Sequence, residues 1–148
     1  MQSIHKCCMN ISSPNLINIC IDQHQGGEIS GRLYHCYDMQ PVIFSNVIEL
    51  LREAEKLFDE IAFPQASTKT RSFVEKSQLA DTRIYRPERV VDQEKVVEHT
   101  GKIGTFITSV RFRQNSTWRG ESYWIEKETV QQFANTLEFI KQIDIALQ

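Results

Sequence analysis

Setting each residue n beside residue n+89, without a gap, brings two stretches of this 148-residue chain into register. The pairing joins Gln25 to Gln114, Gly31 to Gly120, Tyr34 to Tyr123, Phe44 to Phe133, Asn46 to Asn135 and Glu49 to Glu138. Six identities carry little by themselves. The argument gains force because a turn, two strand patterns and a helical stripe fall into register with them, so that local and global signals agree.

In the first stretch, Ile17, Ile19 and Ile21 alternate with smaller or polar residues. Gly26-Gly27 interrupts, and an extended pattern resumes from Ile29 to Tyr37, which is the signature of a β-hairpin. Phe44, Val47, Ile48, Leu51, Ala54 and Phe58 then recur at helical spacing. The second stretch repeats the order: a strand from Thr105 to Arg113, a turn at Asn115-Ser116, a strand from Trp118 to Glu126, and a helix with Phe133, Leu137, Ile140, Ile143 and Leu147 on one face. Asn46-x-x-Glu49 and Asn135-x-x-Glu138 read as capping boxes that start the two helices rather than as catalytic carboxylates. Gly31 and Gly120 lie inside strand patterns, where a glycine signals a bulge or a close neighbour such as a large aromatic.

The expected fold class is therefore α+β, with duplicated ββα units forming a mostly antiparallel sheet and two helices on one face. The whole chain, 1–148, reads as a single domain. Residues 1–15 form a flexible N-terminus, 16–61 the first unit, 62–101 a long, partly ordered connection, and 102–148 the second unit. Within the connection the pattern predicts a short helix near 72–80 and a strand near 82–85, because a structureless stretch of that length is unusual in a small domain. Exposed hairpin edges leave open whether the two hairpins join within one chain or pair across a homodimer.

Composition bounds the function. Seventeen Lys plus Arg against nineteen Asp plus Glu gives a formal charge of −2, which argues against holding duplex DNA by phosphate neutralisation. No run approaches the ~20 apolar residues of a membrane helix, and the start lacks a secretory pattern, so the expectation is a cytoplasmic protein without a membrane partner. Cys7, Cys8, Cys20 and Cys36 show no zinc-type spacing and read as reduced thiols; His5 beside Cys7 and Cys8 supplies too few ligands for a metal clip. Phosphate-cradling, zinc-protease and nucleophile-elbow motifs are absent, which lowers the enzyme expectation; no cofactor, metal site or catalytic residue is assigned.

If Asn115-Ser116 is a two-residue turn, cross-strand partners sum to 231. That register puts Phe106, Val110, Phe112, Tyr123 and Ile125 on a core face. Ile107, Arg111, Arg113, Trp118 and Trp124 fall on the opposite face, with Trp124 across from Ile107 and Arg113 across from Trp118. The first hairpin likewise places Ile17, Ile19, Ile21, Tyr34 and Cys36 inward, and Cys20, Asp22, His24, Leu33, His35 and Tyr37 outward. Arg111, Arg113, Trp118 and Trp124 are the candidate binding residues, because Trp and Arg dominate interaction hot spots and guanidinium stacks on indole. The competing reading makes the two tryptophans a second core layer under the connecting segment.

The run Arg113-Gln114-Asn115-Ser116-Thr117-Trp118-Arg119-Gly120, continuing through Tyr123-Trp124-Ile125-Glu126 to Phe133 and Leu137-Glu138, resembles a C-terminal signature of small uncharacterised bacterial proteins. The resemblance covers the last third of the chain, departs at Arg119, where Gln is the usual residue, and implies a bacterial intracellular setting without an activity. The expected function is a non-enzymatic protein-interaction or regulatory module with a protein partner. Three alternatives stand beside it: single-stranded nucleic-acid binding on the Trp/Arg face, a small thiol or metal-dependent enzyme at Cys20, His24 and His35, and a mobile-element-encoded inhibitor.

Overall fold

The computed structural model describes residues 13–63, 88–114 and 117–148. It contains one six-stranded antiparallel sheet of order β3-β2-β1-β4-β5-β6. The strands are β1 (Ile17–Gln25), β2 (Glu28–Tyr34), β3 (Val42–Phe44), β4 (Gly104–Gln114), β5 (Thr117–Trp124) and β6 (Thr129–Phe133). Helix α1 (Val47–Ile61) follows β3, the short α2 (Gln93–Val96) precedes β4, and α3 (Thr136–Ala146) follows β6. The element pattern is thus α+β. The expected helix near 72–80, the strand near 82–85, the Cys7–Cys8 pair and the 115–116 turn lie outside the described residues.

The two hairpins join within the chain. β1 pairs with β4, Ile19 opposite Phe106 and Asn18 opposite Ile107. Each hairpin also gains a third strand, whose last residue, Phe44 or Phe133, the helical spacing places at the start of a helix. Phe44 ends β3 opposite Gly31, and Phe133 ends β6 opposite Gly120. The helices begin only after the caps. Asn46 accepts from the Glu49 N–H at 2.8 Å while Glu49 accepts from the Ser45 N–H at 2.7 Å, and Asn135 and Glu138 repeat both bonds around Ala134 at 2.8 and 2.7 Å. Such a reciprocal box starts the helix one residue after the Asn, which leaves the Phe before it free to pair in a strand.

Both helices bury their apolar sides against the same sheet face. Leu50, Ala54, Leu57, Phe58 and Ile61 of α1 and Phe139 and Ile143 of α3 pack with Ile17, Ile19, Ile21, Leu33, Phe106, Val110 and Trp118. The opposite face carries a smaller cluster of Leu16, Ile107 and Tyr123 under Val97, which follows α2. Asn18, buried on this side, ties the covering segment down by donating from Nδ2 to the carbonyls of Val96 and His99, each at 2.8 Å.

A β-bulge in each hairpin corrects the expected faces. Near its turn the second hairpin keeps partners summing to 231, such as Arg113 and Trp118, but the register shifts between Val110 and Phe112, so Phe106 meets Trp124 and Ile107 meets Tyr123. One extra residue, Arg111, reverses the facing of everything on one side of it. Phe112 and Tyr123 therefore leave the helix-covered face, and Trp124 lies across from Phe106 rather than Ile107. The first hairpin shifts between Ile21 and Gln23, bringing Leu33 opposite Ile19 and Tyr34 opposite Asn18. Leu33 turns inward and Tyr34 outward, the reverse of the expectation.

Candidate functional site

The strand pairing places Arg113, Trp118 and Trp124 on one side of the sheet, as the sequence suggested, but that side lies beneath the helices. Trp118 is 1% exposed and packs against Phe58 and Phe139 with ring centroids 5.6 and 5.5 Å away. Its Nε1 donates to Glu55 of α1. Arg113, 4% exposed, donates to Glu55 at 2.7 Å and Asp59 at 2.9 Å while its guanidinium lies over the Phe58 ring. Trp124 is partly buried and stacks on Phe106. Arg113 and Trp118 fasten α1 to the sheet, Trp118 also meets α3, and neither offers an open platform. Arg111 stands apart from them, at the bulge.

Cys20, His24 and His35 are not brought together. Cys20 is buried on the α2 side, where its thiol donates to Asn18 Oδ1 at 3.6 Å and burial pushes its pKa up to about 12. His24 reaches the opposite side, with Nε2 3.4 Å from Asp144 of α3. His35 Nδ1 accepts from the Tyr37 N–H at 3.1 Å, and burial holds its pKa below the usual imidazole range. Among the described residues no group of three His, Cys, Asp or Glu side chains is placed to hold a metal ion.

A recess lies on the second hairpin, between its bulged strand and the start of α3. A cleft of about 610 Å³ is lined by Arg111, Phe112, Arg119, Glu121, Gln132 and Glu138, among others. The bulge creates it. Once Arg111 takes up the extra residue, Phe112 points off the core and stands 61% exposed, directly across from Arg119. The Arg119 guanidinium sits over the Phe112 ring, 5.8 Å from its centroid. Arg111, 54% exposed, donates to Glu121 at 2.9 Å. Glu138, which accepts from the Ala134 N–H in the capping box, adds a second carboxylate to the lining.

The bulge also explains the strand glycine. A Cβ on Gly120 would collide with the Ser109 carbonyl oxygen, and one on Gly31 with that of Cys20. The positions 89 residues before Phe112 and Arg119 are Gln23 and Ser30, so the apolar and basic character of the cleft belongs to the second hairpin alone. Sequence reasoning named Arg111 but missed Phe112, Arg119 and Glu121. The glycine inside the strand was the signal that the register had to slip.

No helix among the described residues is long and apolar enough to cross a membrane. No family model matches the chain, and neither a curated protein nor a solved structure matches it at a significant level.

Proposed function

We propose that this chain is a non-enzymatic protein-interaction module, built by duplication of one strand–strand–helix unit, and that it engages its partner through the cleft around Phe112. The observation that carries the reading is the exposed Phe112 ring flanked by Arg119 and Arg111 in an open cleft. An aromatic and a guanidinium are the side chains that contribute most at protein interfaces, and here they stand together outside the core. Duplication is supported by the matched bulges, glycines and capping boxes at a constant offset of 89. A bacterial cytoplasm fits the free thiols of Cys20 and Cys36.

Affinity purification from the native host, after cross-linking, tests the reading. A partner recovered with the unaltered chain and lost with Phe112→Ala, while the circular dichroism spectrum and melting temperature stay unchanged, is the expected result. Equal recovery with Phe112→Ala overturns it. Nucleic acid provides the other outcome: salt-sensitive binding of labelled single strands that disappears with Phe112→Ala would reassign the cleft to base stacking.

A further inference from the structure

Each helix holds a carboxylate against the hairpin of the other half, at positions 89 residues apart. Arg113, across from Trp118 in the second hairpin, donates to Glu55 of α1 at 2.7 Å. His24, across from Ile29 in the first, brings Nε2 to 3.4 Å from Asp144 of α3. His24 precedes Arg113, Ile29 precedes Trp118 and Glu55 precedes Asp144 by the same 89 residues, so corresponding positions supply both sets. The ring is what differs. In the first set the Trp118 indole packs against Phe58 and Phe139, its Nε1 donates to Glu55 and its backbone N–H donates to Thr136 Oγ1 at 2.8 Å. In the second, Ile29 holds the strand position, and a recess of about 310 Å³ lies beside it, lined also by Val47, Ile140, Lys141, Ile143 and Asp144. Val47 and Asp144 are the counterparts of Thr136 and Glu55, the two residues bonded to Trp118. The recess is therefore the place that an indole fills in the other half.

The carboxylate beside it keeps room for a donor. Glu55 takes Arg113 on one oxygen and Trp118 on the other. Asp144 instead meets the buried His24 Nε2 without a hydrogen bond, and the exposed Gln148 amide at 3.4 Å. We infer that the recess binds a free, planar aromatic molecule carrying a ring N–H, with its ring against Ile29, Val47, Ile140 and Ile143 and its N–H on Asp144. Burial of the ring supplies affinity, and the bond to an ionised carboxylate fixes orientation. The volume lies at the lower end of small-molecule sites, which suits a single ring system rather than a peptide segment. This site is separate from the Phe112 cleft, and the inference needs only the correspondence of positions.

The experiment is a nitrogen-15 NMR titration of the full chain with indole, and with 1-methylindole, which keeps the ring and lacks the donor. The expected result is saturable shifts at the Ile29, Val47 and Ile143 amides, with indole bound about tenfold more tightly than 1-methylindole and that preference lost in Asp144→Ala. Ile29→Trp places the ring covalently and should abolish the shifts. No saturable shift, equal binding of the two compounds, or undiminished binding to folded Ile29→Trp overturns the inference. Should Ile29→Trp fail to fold, Asp144→Ala at its exposed helix position carries the test alone, and an unchanged preference there overturns the assigned donor site. N-acetyltryptophanamide bound at least about tenfold more tightly than indole would make a partner's tryptophan the occupant and overturn the free ligand. Indole shifts centred on Phe112 and Arg119 would also overturn it. Failure of the cleft reading is read separately, in partner recovery with Phe112→Ala.

Discussion

At the scale of single residues, the two strand glycines are the most demanding positions. Each sits opposite a bulge where a neighbouring carbonyl oxygen occupies the space of a side chain. Gly31→Ala and Gly120→Ala should each lower unfolding free energy by about 1–3 kcal/mol, the usual cost of forcing atoms into a packed site; urea titration measures it, and an unchanged midpoint would refute the geometry. Trp118 supplies a second case. Trp118→Ala removes a fully buried ring from between α1 and α3 and should cost about 3–5 kcal/mol. Trp118→Phe keeps most of the packing but deprives Glu55 of a donor, at a cost of about 1–3 kcal/mol. Cys20 is buried with its thiol held protonated, so at pH 8 a thiol reagent followed by peptide mapping should leave Cys20 unmodified in the native chain and modify it in urea.

At the scale of elements, the capping boxes decide where the helices begin. Asn46→Ala and Asn135→Ala each remove the acceptor for the Glu N–H three residues on, and each should destabilise the fold by about 0.5–2 kcal/mol, again by urea titration. The boxes were plain in the sequence because capping is local: four consecutive residues contain the whole interaction. β3 and β6 were not, since three and five residues of extended chain earn their place only by pairing with β2 and β5. Their phenylalanines also lie near enough to helical spacing to be read as the first turn. α2 escaped notice for a related reason, having four residues and no sustained period.

At the scale of the molecule, one sheet separates a large core beneath two helices from a smaller one beneath the segment 88–103. That arrangement sets the response to pH. Burial holds His35 and His99 below the usual imidazole range, with Arg32 adding to the effect at His99. The unfolded chain then takes up these protons first, and stability should fall as pH drops below about 6.5. On the alkaline side the unfolded Cys20 ionises near its ordinary value while the folded thiol waits until about 12, so stability should decline across that interval. Thermal melts from pH 5 to 10.5 measure both limbs, and His35→Gln should flatten part of the acid one.

Sequence alone determined the alternating strands, the two amphipathic helices, their caps and the 89-residue offset, because each is written in neighbours close along the chain. Tertiary structure decided the facing of residues beyond the bulges. Whether a strand slips by one residue depends on the strand beside it, and a slip of one turns Phe112 out to solvent and Trp124 onto Phe106. Arg113 and Trp118 are therefore buried and Phe112 open, the reverse of the facing that alternation alone assigned to Phe112.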